Sequence, residues 1–458
     1  MTLGTRPIDP VDTIWLNMDR ADNLMVIESL LTLEGPADWD RFLGLLQSRV
    51  VDLYPVFGQR PVWPHRPLGL PLGMPHWEDD PDFALTRHIH RATLAAPGDD
   101  SALQDYVNDH ISTPLERDRP LWEMHLIDGH GSGSAVYSRL HHSLADGIAL
   151  TRVLLSLTDE SPDGDLDDAP VGSQASGGLV AGTLRLAEMM GSAVADLPHL
   201  LTPAHAADAF TLVRQTTGIA SKLLFSRNPA SPVNGVPGAR KRAIWAPPIP
   251  LADIVATGRK TGTTVNDVLV AALAGALSTY LRDHEGAAVD VPTMVPVNVR
   301  PLDEPLPREL GNRFALVLFS LPSGLATPFA RLAETKRRMD AIKHSPEALL
   351  TFGLIRGIGR TGPEIERFLV DFFANKASGV TTNVPGPSGP RYLAGTRITA
   401  MLGWVPESGN QSLGTSIFTY DGQVHVGFKV DVETIPDPEA LLSAFTAEIE
   451  SLRHLGRK

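Results

Sequence analysis

Arg139 to Leu150 reads RLHHSLADGIAL. Adjacent histidines, His141 and His142, are followed four and five residues after His142 by Asp146 and Gly147, and then by an apolar run. Three chemistries compete for such a group. Zinc takes His, Asp and Glu ligands, but a helical pair of histidine ligands is normally four residues apart so that both face one ion. Neighbours on a strand point to opposite faces, so only one of His141 and His142 enters a given site, and no metal is expected there. A serine hydrolase of the nucleophile-elbow type would carry G-x-S-x-G, which the chain lacks. The third chemistry is general-base catalysis. A neutral imidazole, with an ordinary pKa of about 6.5, accepts a proton near neutral pH. Its other nitrogen then needs an orienting acceptor. Asp146 stands across a tight turn, where it either orients the ring or pairs with an arginine and locks the loop. Gly147 lets the chain turn sharply into a helix. A hydrogen-bonded, inert histidine pair is the alternative that these residues alone leave open.

The elements around this stretch decide where it points. WEMHLIDG and SAVYSRL alternate on either side of Gly129, Gly131 and Gly133 and predict a hairpin. His141 and His142 then sit at a strand end, and Gly147 opens the helix IALTRVLLSLTDE. Upstream, Met25–Gly35 reads as a strand. Phe42, Leu45, Leu46, Val50 and Leu53 mark one helix, and Leu103, Val107 and Ile111 a second. From Ser161 the chain turns acidic and small, as an exposed linker does. Leu179, Leu186, Met190, Ala193 and Leu197 then share a helical face that packs on the core or, alternatively, lies on a membrane. A Pro/Gly-rich connector carries Arg240, Lys241 and Arg242, a basic run that is either solvated or meets phosphate. From about Ile249 helices alternate with strands, which predicts an α/β domain with a mixed sheet. GIGRTG, Gly357 to Gly362, matches the dinucleotide pattern but follows a helical rather than a strand-like run, so it is set aside as chance.

The 458 residues suggest two or three domains. A net charge of −13 argues against a general nucleic-acid binder. The absence of cysteine removes disulfides, thiolate metal sites and cysteine-linked acyl intermediates. The N-terminal residues do not read as a signal peptide. The longest uncharged apolar stretch, Val268 to Leu281, is shorter than the about 20 residues a bilayer span needs, and a buried helix is expected.

HHSLADG matches the HHxxxDG motif of the CoA-dependent acyltransferase superfamily. MPHWEDDPDFALTRHI, PLERDRPLWEMHLIDG, TTVNDVLVAAL, VPVNVRP, LGNRFALVLFSLP, TTNVPGP and GTSIFTYDGQVHVGFKVD occur in that order along the chain, the first two upstream of HHSLADG. Together they resemble the bacterial wax ester synthase/diacylglycerol acyltransferase family from about Pro7 to Leu452. Counted from His141, H-x-x-x-x-D also fits glycerolipid acyltransferases, but those lack the PLW block (Pro120–Trp122) and the ND block (Asn266, Asp267). LNMDRADNLMVIESL departs from the family's usual wording near the start, which leaves the acceptor open.

The resemblance implies an α/β fold of two chloramphenicol-acetyltransferase-like domains with mixed sheets, joined by a long crossover, with an active-site tunnel at the interface. The expected division is residues 1–160 carrying HHxxxDG, a 161–248 linker and crossover with a helical segment, and a 249–458 second domain. His142 is the expected general base, taking the proton of an alcohol that attacks the acyl-CoA thioester without a covalent enzyme intermediate. His141, Asp146 and Gly147 are assigned to shape and orientation, Asp146 bracing the loop against an arginine. Asn266 is expected to donate to the oxyanion or to tie down its helix. Asp267, Trp122 and Asn383 complete the expected substrate-binding set, with Trp122 and the Asn383–Pro387 turn structural or tunnel-lining. Arg240, Lys241 and Arg242 are placed near the CoA phosphates. Acyl-CoA is a co-substrate and no cofactor or metal is expected. The acceptor is diacylglycerol, a long-chain alcohol or another lipid hydroxyl. A cytoplasmic protein held peripherally at the inner membrane face or lipid bodies is expected, through the Leu179–Leu201 region. A relative using carrier-bound acyl groups, or a non-catalytic lipid-surface protein, are the other classes.

Overall fold

A computed structural model describes residues 5–64, 74–164, 221–222, 225–285, 288–299, 304–343 and 345–455. The Leu179–Leu201 region lies outside the described residues. In chain order the first half contains β1 (Thr5–Pro7), α1 (Pro10–Met18), β2 (Val26–Leu33), α2 (Trp39–Leu46), β3 (Gln59–Val62), β4 (His76–Asp79), β5 (Ile89–Thr93), α3 (Asp100–Ile111), β6 (Trp122–His130), β7 (Gly133–His141), α4 (Gly147–Ser156) and β8 (Thr158–Asp159). The second half contains β9 (Lys241–Trp245), β10 (Ile249–Pro250), α5 (Leu251–Thr261), α6 (Val265–Glu285), β11 (Val291–Asn298), β12 (Phe314–Leu321), α7 (Pro328–Lys343), α8 (Glu347–Ile358) and α9 (Pro363–Ala374). It ends with β13 (Gly379–Pro385), β14 (Tyr392–Leu393), β15 (Thr396–Trp404), β16 (Leu413–Tyr420), β17 (Gln423–Asp431) and α10 (Pro438–Leu455).

The alternating runs around the glycine cluster pair as the antiparallel hairpin β6–β7. Every residue of β7 is buried, as expected of a strand covered on both faces. It belongs to the sheet β5-β6-β7-β2-β15-β14-β8, in which β5 and β6 run parallel. The second large sheet runs β10-β17-β16-β13-β11-β12, with β9 also on β17, and mixes parallel and antiparallel pairs. A small sheet, β1-β4-β3, stands apart.

The two large sheets do not divide the chain at one point. β15 lies in the second half of the sequence, yet it pairs antiparallel with β2, from Leu33↔Ile398 to Glu28↔Trp404. β9, inside the span read as linker, joins the second sheet through Lys241↔Asp431 to Trp245↔Gly427. A buried charge group links the sheets. Lys429 Nζ on β17 lies 3.2 Å from Glu28 on β2 and 3.8 Å from Glu407.

One core packs α2 and α4 against the first sheet, with Phe42, Leu45, Leu126, Val136 and Leu140 buried. A second surrounds α6, whose apolar run Val268–Leu277 is buried almost throughout. Among the described residues no single helix is long and apolar enough to cross a membrane. The one bent pair that passes by composition, α5 with α6, includes this core helix.

Candidate active site

β7 ends at His141, a three-residue turn follows, and Asp146 caps α4. The two histidine rings meet different neighbours. His141 is buried, and its Nδ1 accepts the backbone N–H of Ser143 at 3.1 Å and lies 2.8 Å from the Ser143 hydroxyl. An N–H donor on Nδ1 places the proton of a neutral ring on Nε2, which lies 3.6 Å from Asp19 Oδ2. Asp19 also accepts from Met25 N at 2.8 Å and from Arg117 at 3.0 Å. Burial pushes its carboxyl up, but His141, Met25 and Arg117 outweigh that and hold it at about 2.

His142 donates its backbone N–H to Met25 O at 2.7 Å, and its carbonyl accepts from Asn312 Nδ2 at 2.7 Å. Its ring stacks on Trp15 with centroids 4.0 Å apart and planes at 18°, and lies 5.9 Å from Phe314. Nδ1 is buried without a hydrogen-bond partner. Burial pushes the imidazole down to about 4, because a charged ring is poorly solvated in this slot. At neutral pH it is therefore the free base.

The second half of the chain locks this loop. Asn312 Nδ2 also donates to Asp12 Oδ1 at 2.8 Å, and the Asn312 backbone N–H reaches the same oxygen at 2.9 Å. Burial raises the Asp12 carboxyl to about 7. Asp146 is buried: Oδ1 accepts from Ala149 N at 2.9 Å, capping α4, and Oδ2 accepts from the backbone N–H of Arg313 at 3.0 Å. One bond of the Asp146 carboxylate therefore comes from the main chain of Arg313. Gly147 has no left-handed backbone, and a Cβ there would meet nothing within 4 Å. The sharp turn expected to need glycine is made by the Asp146 cap instead, and the space beside Gly147 is open.

Beside the His142 ring lies an apolar pocket of about 810 Å³, measured out to its mouth. Trp15 and Phe314, which touch the imidazole, also line it, with Ile14, Leu316, Leu354 and Phe373 further along. Ligand pockets are typically lined mostly by apolar side chains.

The other sequence-derived residues fall elsewhere. Asn383 Nδ2 on β13 donates to Asn266 Oδ1 in the first turn of α6 at 2.9 Å. Asp267 is fully buried and closes a reciprocal cap with Thr264, accepting from Thr264 N at 2.9 Å and donating its own N–H to Thr264 Oγ1 at 3.2 Å. Trp122 is buried; its indole N–H bonds Phe57 O at 2.8 Å and its ring stacks on His88 at 4.7 Å. Neither Trp122 nor Asp267 lines the pocket beside His142. Lys241 is buried against Asp431 at 3.0 Å, whereas Arg242 is exposed and pairs with the exposed Glu439.

Sequence reasoning missed Asp12, Trp15, Asp19, Asn312 and Phe314. Asp12 and Trp15 stand three apart on one side of α1, and Asp19 follows four residues later at the helix's end. That was the available signal, together with the polar Asn312–Arg313 pair opening an otherwise apolar strand.

The model of the wax ester synthase/diacylglycerol acyltransferase catalytic domain matches residues 8–269, and that of the WS/DGAT C-terminal domain matches residues 310–453. The chain belongs to the WS/DGAT family. It is an acyltransferase, and HHxxxDG lies within the matched catalytic region. A probable diacylglycerol O-acyltransferase of Mycobacterium tuberculosis is 29% identical over 429 residues, 90% of this chain and 88% of that protein. A putative diacylglycerol O-acyltransferase of the same organism is 29% identical over 477 residues, 98% of this chain and 97% of the relative. Among solved structures, a wax ester synthase/diacylglycerol acyltransferase from Marinobacter aquaeolei VT8 superposes with a TM-score of 0.68 at 23% identity, covering 99% of this chain and 100% of that one. The first condensation domain of the calcium-dependent antibiotic synthetase superposes with a TM-score of 0.61 at 16% identity, covering 99% and 96%. The mixed-sheet, two-domain architecture of this WS/DGAT protein is therefore the one its motif implied.

Proposed function

We propose that this WS/DGAT acyltransferase moves a fatty acyl group from acyl-CoA to the hydroxyl of diacylglycerol, with His142 as general base. The observation that carries the reading is the His142 ring stacked on Trp15 beside an apolar pocket, where burial favours its neutral form. Acyl chains need apolar walls, and the reacting hydroxyl needs a base that is unprotonated at neutral pH. The hydroxyl oxygen attacks the thioester carbon as His142 takes its proton. The C–S bond then breaks, the ester leaves, and the CoA thiolate recovers the proton from His142. No covalent enzyme intermediate, metal or other cofactor takes part in this scheme. Asn266 is the proposed oxyanion donor: Asn383 holds it by its carbonyl oxygen, which turns the N–H end of its amide away from Asn383. A donor of this type contributes about 3–4 kcal/mol in other enzymes.

The diacylglycerol acceptor draws support from the relatives named above. A long-chain alcohol, giving a wax ester, is the second reading, favoured by the largely apolar pocket lining. Purified protein given labelled acyl-CoA with diacylglycerol or hexadecanol in vesicles should yield triacylglycerol. Wax ester as the sole product would replace the acceptor, and no transfer to either would overturn the reading.

Both acceptors reside in lipid, and we place the membrane contact on α9. Ile365, Phe368 and Phe372 recur at three and four residues on its exposed face, while Val370 and Phe373 of the same helix line the pocket. Peripheral docking there, on a membrane or lipid body at the cytoplasmic face, would bring the pocket to its substrate. Phe368→Asp should weaken vesicle flotation; unchanged flotation would move the contact elsewhere.

A further inference from the structure

We propose that His90, Glu123 and His125 form a binding site for one zinc-type divalent cation, separate from the His142 site. The placement follows from strand register. His90 on β5 is the direct partner of His125 on the parallel strand β6. Glu123, two residues before His125, projects from the same face of β6. One ligand atom from each side chain lies within 4.8 Å of the other two. His90 Nε2 is 3.7 Å from Glu123 Oε2, and His125 Nε2 is 3.5 Å from Glu123 Oε1. Around a tetrahedral zinc, with bonds of about 2.0–2.2 Å, ligand atoms stand roughly 3.3 Å apart. Small side-chain rotations close the present spacing onto an ion.

Two further observations point to a ligand. His125 is 3% exposed, yet its Nε2 is buried with no hydrogen-bond partner, a loss that folded proteins rarely accept. Its other nitrogen, Nδ1, lies 2.8 Å from the Tyr106 hydroxyl on α3. With Nδ1–H donating to that oxygen, the lone pair of Nε2 is fixed toward Glu123 and His90, the outer-shell support that metal-binding histidines typically have. Arg139 holds Glu123 Oε1. It keeps the carboxylate ionised and leaves Oε2 toward His90, while its own charge weakens the site for a cation. The His90 side chain is 47% exposed, so an ion can load from solvent and keep water as its fourth ligand. Bound metal would fasten β5, the edge strand of its sheet, to β6.

The test uses the full-length protein, stripped with chelator, dialysed, and titrated with Zn²⁺ by calorimetry and with Co²⁺ by visible absorption. Wild type should bind about one equivalent, give the intense visible bands of four-coordinate cobalt, and melt higher with zinc than without. His90→Gln changes a half-exposed side chain. It should weaken binding at least tenfold while leaving the metal-free melting temperature unchanged. Tyr106→Phe should weaken binding by about 10–100-fold, and His142→Ala should bind as wild type. Absence of stoichiometric binding, or His90→Gln binding like wild type, overturns the proposal.

Discussion

The chain builds the same local joint twice. In the first sheet the hairpin β6–β7 ends at His141, a three-residue turn follows, and Asp146 caps α4. In the second, β16–β17 ends at Asp431, a three-residue turn follows, and Asp437 caps α10 through Ala440 N at 3.2 Å. The terminal strand residue organises the turn in both. His141 Nδ1 takes the Ser143 N–H, whereas Asp431 Oδ1 takes the Glu433 and Thr434 N–H groups at 3.2 and 3.0 Å. The next residue differs in kind. It is Val432 in one joint and His142 in the other, and His142 meets Trp15, Phe314 and Asn312. The two joints therefore differ in what is placed opposite the turn, while the turn itself is ordinary architecture. The caps differ too. Asp437 is exposed, but Asp146 is buried and carries a second bond from Arg313 N.

The comparison breaks most sharply at the residue after each strand. His142→Ala should lower acyl transfer by about 10²–10⁴-fold with little change in melting temperature, while Val432→Ala leaves the rate near wild type. Equal rate losses would make both turns merely structural. The caps come next. Asp146→Ala strips α4 of its cap and leaves the Arg313 amide unsatisfied, a cost of about 2–4 kcal/mol. Asp437→Ala should cost only about 0.5–1 kcal/mol. Denaturant midpoints decide; equal losses would dismiss the inter-half contact.

pH resolves a smaller effect. With His142 pushed down to about 4, kcat/KM should stay level from pH 7 to about 5 and fall only through about 4. A limb near 6.5 would mean the ring is solvated in the working enzyme. Stability responds in two directions. His142 binds its proton less readily folded than unfolded, so its contribution declines as pH falls from about 6.5 through 4. Asp12, raised from 3.8 to about 7, keeps its proton in the fold. Its contribution is complete below about 3.8 and declines as pH rises through 7. Asp12→Asn should remove that second slope in melting-temperature profiles. Smallest of all, Gly147→Ala fills open space at an ordinary backbone conformation and should stabilise by about 0.4–1 kcal/mol. A loss of stability would show that the position needs glycine after all.

The local parts of this site were legible in the sequence. The alternation and glycines of 122–141 marked the hairpin, and the apolar period after Gly147 marked α4. Short-range hydrogen bonding and side-chain direction are written in neighbouring residues. Asn312 was not legible as a partner of His142, because 170 residues separate them and only the packing of two halves joins them. Trp15 lies in the same half as His142 but far from it in sequence, so it too was hidden. Trp122 and Asp267 drew attention through the family resemblance, and their partners, the carbonyl of Phe57 and the cap at Thr264, were not legible from it. β15 was unreadable as a member of the first sheet, since strand period reports an exposed or covered face and says nothing of which neighbour lies alongside.

That exchange of β15 has a consequence for biosynthesis. While the ribosome is still making the second half, β2 has β7 on one flank and bare backbone N–H and C=O groups on the other, and it stays so until residues 396–404 emerge. An unpaired edge next to β7 invites association with other nascent chains, and its native partner lies several hundred residues downstream, a slow contact to form. The sheet that carries the HHxxxDG loop is thus completed late, and a chain interrupted before Trp404 carries His142 on an unfinished sheet.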